Sequence, residues 1–153
     1  MGSGELKKTL QQQISNLGLN HKVRIQEFVS HDKIPNIMHE HHIFCLPSIT
    51  SSCGDEEGIP NVLKEAQATG MPVVSTYHSG IPHLIKDGKN GFLIAEKDTI
   101  QLTQKLINII EHPEIWQSMG QWGRKHIEEH FDKFKQAKKL EEIYSDIIKR
   151  KGK

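Results

Sequence analysis

The fold of this chain is decided by one stretch of the sequence, Glu57-Gly58-Ile59-Pro60-Asn61-Val62-Leu63-Lys64-Glu65, where an apolar strand gives way to a helix. Gly58 has no Cβ, so the backbone can approach a ligand closely there. Pro60 suits the first turn of a helix, because the N–H that it lacks would have no partner in that turn. The N–H groups of residues 61–63 would then point out of the helix N-terminus, which predicts an anion site.

Two carboxylates bracket this helix end. Glu57 precedes the turn, and Glu65 projects from the helix about one to two turns further on. An ionised carboxylate only accepts hydrogen bonds, and a vicinal diol can offer it two donors. The stretch therefore predicts a nucleotide-sugar site, with phosphate on the helix end and hydroxyl groups on the acids. On spacing alone, two solvated acids at the start of an ordinary helix remain the alternative, because the helix dipole favours acids there.

Working outward, strands and helices alternate along the chain. Apolar runs predict strands at 23–29, 43–46, 72–76 and 92–94, and periodic patterns predict helices at 6–17, 32–41, 60–69 and 98–110, followed by helices after Pro113 and from about Phe131. Gly18 is placed to end the first helix, and a turn at 78–82 opens a short one. This alternation is typical of an α/β fold with a Rossmann-like, doubly wound parallel sheet.

Composition narrows the class of protein. The chain has 153 residues, 35% of them hydrophobic and 25% charged, as expected for one ordinary globular domain with a core. A formal net charge of +1 predicts no strong attraction to nucleic acid. No apolar run approaches the length of a membrane span, and two cysteines do not form a disulfide framework, so a cytoplasmic location is expected.

Three other features have alternatives. Cys45 lies in an apolar run and is predicted to be a small core residue. His39, His41 and His42 invite a metal site, but their spacing fits no zinc motif, so a solvated helix end is favoured and no metal ligand is predicted. The basic end of the last helix could touch an anionic membrane, yet packing of that helix on the domain is the favoured interpretation.

Along nearly its whole length the chain resembles the C-terminal, donor-binding half of a retaining GT-B glycosyltransferase of family four. The matching pieces are Leu46-Pro47-Ser48, Glu57-Gly58-Ile59-Pro60-Asn61 with Glu65-Ala66, Ala68-Thr69-Gly70-Met71-Pro72-Val73-Val74, Gly80-Ile81-Pro82, Asp87-Gly88 and Asn90-Gly91-Phe92-Leu93. Within the family, residues 54–60 and 75–82 look most like enzymes of colanic-acid-type exopolysaccharide synthesis.

The resemblance implies a role for each matched residue. Glu57, at the catalytic position, would contact hydroxyls of the donor sugar as a positioning group, and Glu65 would bind the ribose. The backbone from Gly58 through Ile59, Pro60 and Asn61 to Val62 would line the sugar and diphosphate. The resemblance also implies retaining transfer from a UDP- or GDP-sugar, with no cofactor and no required metal, and places the base near the end of the strand at 23–29.

The family's donor half begins with Gly-Arg and Lys-Gly motifs that this chain lacks, together with the acceptor-binding N-terminal domain. We therefore expect an N-terminally truncated donor domain at 1–130 and an amphipathic helix at 131–153, inactive alone. In the usual strand order, the strand at 23–29 would be separated from its neighbours or forced to pair differently. The acceptor, a polysaccharide or lipid-linked sugar, would meet the missing domain, with peripheral contact at the inner face of the plasma membrane. A non-catalytic nucleotide-sugar binding module is the alternative.

Overall fold

The computed structural model describes residues 4–51, 54 and 58–151, and its contacts divide the chain into two compact units, 1–37 and 38–153. The elements, in chain order, are α1 (Lys7–Asn16), a 3-10 helix (His31–Lys33), α2 (Ile34–His39), β1 (Phe44–Leu46), α3 (Asn61–Ala68), β2 (Val73–Thr76), α4 (Ile81–Leu84), β3 (Phe92–Ile94), α5 (Thr99–Glu111), α6 (Glu114–His130) and α7 (Lys133–Lys151). The domain boundary predicted at 130/131 stays a prediction.

In the first unit, α1 ends as the sequence predicts. Gly18 has a φ of +67°, and the N–H of Leu19 reaches back to the carbonyl of Ile14 at 2.9 Å. These are the features of a helix closed by a left-handed glycine. Asp32, the first residue of the helix predicted at 32–41, lies inside the 3-10 turn, and Ser30 is the residue that precedes that turn.

The prediction of a strand at 23–29 was wrong. The segment is assigned no strand, and Phe28 is 84% exposed. A strand needs a neighbour for its backbone N–H and C=O groups, and no described segment pairs with this one.

The second unit contains a three-stranded parallel sheet in the order β1-β2-β3. Phe44 is in register with Val73, and Val74 with Phe92. The central strand β2 is buried along its whole length, as expected for a parallel strand covered on both faces. The predicted parallel α/β architecture is confirmed.

The core prediction for Cys45 was wrong, because its side chain is exposed. Cys45 lies on β1, which is an outer strand of the described sheet, so less of the molecule covers it than covers β2. The residues on either side of Cys45, Phe44 and Leu46, are half-buried.

Two glycines allow α3 and α6 to pack closely. A Cβ on Gly120 would lie 2.1 Å from the carbonyl oxygen of Gly70, whereas one on Gly123 would meet the side chain of Gln67 at 3.5 Å. Gln67 is fully buried and exchanges hydrogen bonds with Asn90, which joins α3 to the turn before β3. The C-terminal end of α3 is thus joined to the turn before β3.

The last helix does not pack on the domain, so the favoured interpretation of it was wrong. All the described side chains of α7 are exposed, including a row of large apolar ones: Phe134, Leu140, Ile143, Tyr144, Ile147 and Ile148. Their spacing of three and four residues places most of them on one face. In the part of the chain that the structure describes, no helix is long and apolar enough to cross a membrane.

Candidate functional site: the N-terminus of α3 and the turns beside it

The predicted helix end forms one residue later than the sequence suggested. Pro60 is the cap residue, with extended backbone (ψ of 128°), and Asn61 is the first helical residue of α3. Pro60 is buried, whereas Asn61 is exposed. The fixed φ of proline and its missing N–H therefore place the chain for entry into the helix, as expected.

Among the described residues, two backbone N–H groups at this helix end lack an acceptor, not three. The N–H of Leu63 donates to the carbonyl of Pro60 at 3.2 Å, so its inclusion in the anion site was wrong. Asn61 and Val62 find no acceptor for their N–H groups in the described residues. These are the groups of a helix N-terminus that can bind an anion, and the helix dipole adds a favourable field.

The other predicted residues surround this end of α3. Gly58 is exposed, and among the described residues a Cβ built on it would have no neighbour within 4 Å. Ile59 is half-buried. Glu65 is half-buried on α3, four residues after Asn61, or about 6 Å along the helix axis. Glu57 lies outside the described residues, so its role in the site stays a prediction.

A second turn packs directly on this one. The N–H of Gly80 donates to the carbonyl of Gly58 at 3.3 Å. A Cβ on Gly80 would lie 2.6 Å from Cγ1 of Ile59, which real side chains essentially never show. Glycine at position 80 is therefore required by the close approach of the two turns, and the turn at 78–82 supports the turn at 58–60.

Sequence reasoning missed a polar cluster between the loops that follow the three strands. The imidazole of His78 is 1% exposed, and its Nδ1 lies 2.7 Å from Oε1 of Glu96. Glu96 also accepts the backbone N–H of Thr50 at 2.9 Å and its hydroxyl at 3.3 Å. The hydrogen bond from the Thr50 backbone, followed by that from His78, holds the pKa of the Glu96 carboxyl below its ordinary value of 4.5. A histidine directly after a buried strand was the available signal.

All these groups lie at the carboxyl ends of parallel strands. Thr76 ends β2 and bonds through its hydroxyl to the carbonyl of Ser48, which follows β1, at 2.6 Å. In open α/β sheets ligands bind in the crevice outside these strand ends. Among the described residues, no group of three potential metal ligands is found, His39, His41 and His42 included. What the arrangement offers is two N–H donors for an anion and a carboxylate acceptor, Glu65, for hydroxyl groups.

The fold and the site define a parallel α/β domain with the N-terminus of a helix beside its strand ends. Residues 1–126 match the family described as Glycosyl transferases group 1, and the chain belongs to this family.

Two relatives in curated collections are 40% identical to it. The predicted colanic acid biosynthesis glycosyltransferase WcaL of Salmonella typhimurium matches over 106 residues, which are 69% of this chain and 26% of WcaL. The amylovoran biosynthesis glycosyltransferase AmsK of Erwinia amylovora matches over 109 residues, 71% of this chain and 27% of AmsK. The chain thus spans about a quarter of the length of these relatives. The resemblance to exopolysaccharide glycosyltransferases is confirmed.

Among solved structures, Anabaena Alr3699/HepE in complex with UDP-glucose superposes with a TM-score of 0.81 and 27% sequence identity. The match covers 95% of this chain and 39% of that one. The predicted fold, a Rossmann-like donor half of a GT-B glycosyltransferase, is confirmed by this agreement.

Proposed function

We propose that this chain is the donor-binding domain of a glycosyltransferase that transfers a sugar from a nucleoside-diphosphate sugar to a polysaccharide or lipid-linked acceptor. The observation that carries the proposal is the pair of N–H groups, those of Asn61 and Val62, that lack an acceptor among the described residues at the N-terminus of α3, between Gly58 and Glu65. Membership of the family and the UDP-glucose bound to the HepE relative support it.

In this proposal the diphosphate binds the N-terminus of α3. Negative charge grows on the diphosphate as the sugar departs, so fixed N–H donors stabilise the transition state more than the ground state. Gly58 has no Cβ, which lets its backbone contact the donor. Pro60 shapes the turn and offers no donor to phosphate, because it is buried and has no N–H.

The carboxylates bind the hydroxyl groups of the donor. Glu65 accepts hydrogen bonds from the ribose, and Glu57 positions the donor sugar. Transfer proceeds with retention of configuration, and the departing diphosphate helps to deprotonate the acceptor hydroxyl. The helix end supplies the charge stabilisation that a metal supplies elsewhere, so we propose that no metal is required. Turnover of the complete enzyme in excess chelator tests that point, and loss of activity there would reject it.

The face of α7 supports a peripheral position at an anionic membrane. This helix has seven basic and three acidic residues in its sequence, and its apolar row is exposed. Basic charge next to an apolar face is the pattern of helices that lie in a membrane surface. At the membrane surface the complete enzyme would bind a lipid-linked acceptor.

A titration tests the proposal. Isothermal titration calorimetry of the 153-residue chain with UDP-glucose and GDP-mannose should give saturable binding of one of them. No binding of either ligand would contradict a donor-binding domain. The alternative is a binding module without catalysis. In that case a longer protein carrying this domain would bind the donor but would not turn it over.

A further inference from the structure

The buried amide side chains of Gln67 and Asn90 join α3 to the turn before β3, and we call them the amide pair. Gln67 is fully buried, and Asn90 is 2% exposed. Nε2 of Gln67 donates to the backbone carbonyl of Asn90 at 2.9 Å, and Nδ2 of Asn90 donates to Oε1 of Gln67 at 3.3 Å. Both ends of the Gln67 amide are therefore bonded to one residue.

The amide pair has only one consistent arrangement of donors and acceptors. A backbone carbonyl only accepts, so the nitrogen of the Gln67 amide faces it and the oxygen faces Nδ2 of Asn90. Nδ2 of Asn90 also donates to the carbonyl of Leu84 at 3.1 Å, and its Oδ1 accepts the N–H of Lys86 at 2.7 Å. Turning either amide over would place donors against donors. Because an unsatisfied buried polar group is costly, the amide pair holds a single geometry.

This geometry fixes what the apolar contacts of α3 leave free. The other buried residues of α3 are Leu63 and Ala66, and apolar burial has no preferred direction. Hydrogen bonds are directional. The stem of Gln67 also lies against α6, where a Cβ on Gly123 would meet three of its carbons at 3.5 Å. The amide pair therefore sets the rotation of α3 about its own axis.

The rotation of α3 decides where the carboxylate of Glu65 points. Glu65 precedes Gln67 by two residues, which places it about 160° around the helix from the amide pair. A rotation of about 20° would move a group that lies about 6 Å from the helix axis by about 2 Å. A hydrogen bond tolerates much less than that. A carboxylate that must accept from two ribose hydroxyls thus depends on this rotation.

We propose that Gln67 and Asn90 are positioning residues that fix the rotation of α3 and thereby direct Glu65 to the ribose diol of the donor. The inference rests on the proposed function, in which Glu65 binds the ribose, and it adds two residues that touch no ligand. The N–H groups of Asn61 and Val62 point along the helix axis, so a rotation about that axis changes their direction little. Loss of the amide pair should therefore weaken the ribose contact more than the phosphate contact.

Two ligands separate these contacts: UDP, and 2′,3′-dideoxy-UDP, which has the same diphosphate but no ribose hydroxyls. Calorimetry gives the ratio of their affinities, and in the wild type UDP should bind about tenfold more tightly or better, as expected for hydrogen bonds to a charged group. Gln67→Met, which keeps the length of the side chain and removes the amide, should reduce this ratio to about twofold. Ile109→Val is the matched control, since it trims a fully buried side chain of α5 and should lower stability but leave the ratio unchanged.

A double variant tests whether Gln67 acts through Glu65. If it does, adding Gln67→Met to Glu65→Gln should lower the ratio no further. Equal weakening of both ligands by Gln67→Met, weakening of neither, or additive losses of the ratio in the double variant would overturn the inference. If Gln67→Met does not fold, Asn90→Ser supplies the same comparison, because it keeps the backbone carbonyl that accepts from Gln67.

A measurement without ligand tests the rotation itself. Residual dipolar couplings of the backbone amides along α3 vary periodically, and the phase of that variation reports how far the helix is turned about its axis. The phase should shift in Gln67→Met, whereas the couplings of α6 should stay as in the wild type. Ile109→Val should shift neither. An unshifted phase along α3 in Gln67→Met would overturn the inference.

Failure of the proposed function would look different. If the wild-type chain binds neither UDP nor 2′,3′-dideoxy-UDP, the donor site itself is rejected, and the role toward the ribose is rejected with it. If the wild type binds both ligands equally well, a phosphate site at the helix end stands, whereas the ribose role of Glu65 and the inference built on it fail.

Discussion

Gly80 donates its backbone N–H to the carbonyl of Gly58 at 3.3 Å, and this bond joins the turn after β2 to the turn that enters α3. The contact is possible because Gly80 has no Cβ: one built there would lie 2.6 Å from Cγ1 of Ile59. The two Gly-Ile-Pro turns of this chain therefore have different structural roles. The one at 58–60 faces the open site, and the one at 80–82 supports it.

The first prediction follows from that division. Gly80→Ala should destabilise the chain by about 1–3 kcal/mol, because the new methyl group must displace Ile59 or the backbone beside it. Gly58→Ala, whose Cβ has no neighbour within 4 Å, should change the free energy of unfolding by less than about 0.5 kcal/mol. In calorimetry Gly58→Ala should nevertheless weaken UDP-glucose. Equal stability losses in the two variants, from urea unfolding, would contradict the assignment.

The second prediction concerns the ribose. Glu65→Gln should weaken UDP by about 1.5–3 kcal/mol, because the ribose hydroxyls lose a charged acceptor. Glu111→Gln, an exposed acid at the end of α5, is the control and should bind UDP as the wild type does. Unchanged affinity in Glu65→Gln would remove Glu65 from the ribose role.

The third prediction concerns the support of α3. Gly120→Ala places a methyl group 2.1 Å from the carbonyl of Gly70, so the two helices must separate, at a cost of about 1–3 kcal/mol. Gly123→Ala on the same helix makes only ordinary contacts at 3.5 Å and should be neutral, or stabilising by up to about 1 kcal/mol through helix propensity. Thermal or urea unfolding of the pair checks this, and an equal loss in both would contradict the specific requirement for glycine at position 120.

The fourth prediction is a pH dependence. In the folded chain the pKa of Glu96 is lowered, first by the Thr50 N–H and then by His78. The stability that ionised Glu96 contributes is therefore complete above about 4.5, the value in the unfolded chain, and is lost as the pH falls through the lower folded value. Glu96→Gln should be less stable than wild type at pH 7, and the gap should shrink toward pH 3. A gap that is constant with pH would contradict the ionised state assigned to Glu96.

The fifth prediction concerns α7. The wild-type chain should sediment with vesicles that contain anionic lipid and should be released by salt, since screening weakens the attraction of basic side chains. Replacing Ile143 and Ile147 by serine should abolish binding without changing urea stability, because both side chains are already exposed. Binding that survives these replacements would reject the apolar face as the contact.

Much of the second unit could be predicted from the sequence because its signals are local. A left-handed glycine ends α3 at Gly70, where φ is +82°, and Asp98 caps α5 by accepting the N–H of Gln101 at 2.9 Å. The short apolar run of β2 is buried along its length. In these places a residue and its near neighbours determine the outcome.

The strand error and the missed cluster have long-range causes, whereas the error at Leu63 is local. Residues 23–29 have a strand pattern, but a strand forms only where another segment pairs with it. Leu63 was expected to offer its N–H to an anion, but that N–H donates to the carbonyl of Pro60. The cluster of His78 with Glu96 and Thr50 spans up to 46 residues of sequence, and no spacing rule brings three such loops together. Their meeting is a property of strand order, which sequence periodicity does not contain.

A titration of the isotope-labelled chain with UDP-glucose, followed through backbone amide chemical shifts, tests the central claim most directly. We predict the largest changes at the amides of Asn61 and Val62, with a smaller change at Gly58, and no change along α7. Saturable binding that leaves Asn61 and Val62 unaffected, or the absence of any binding, would contradict a donor site at the N-terminus of α3.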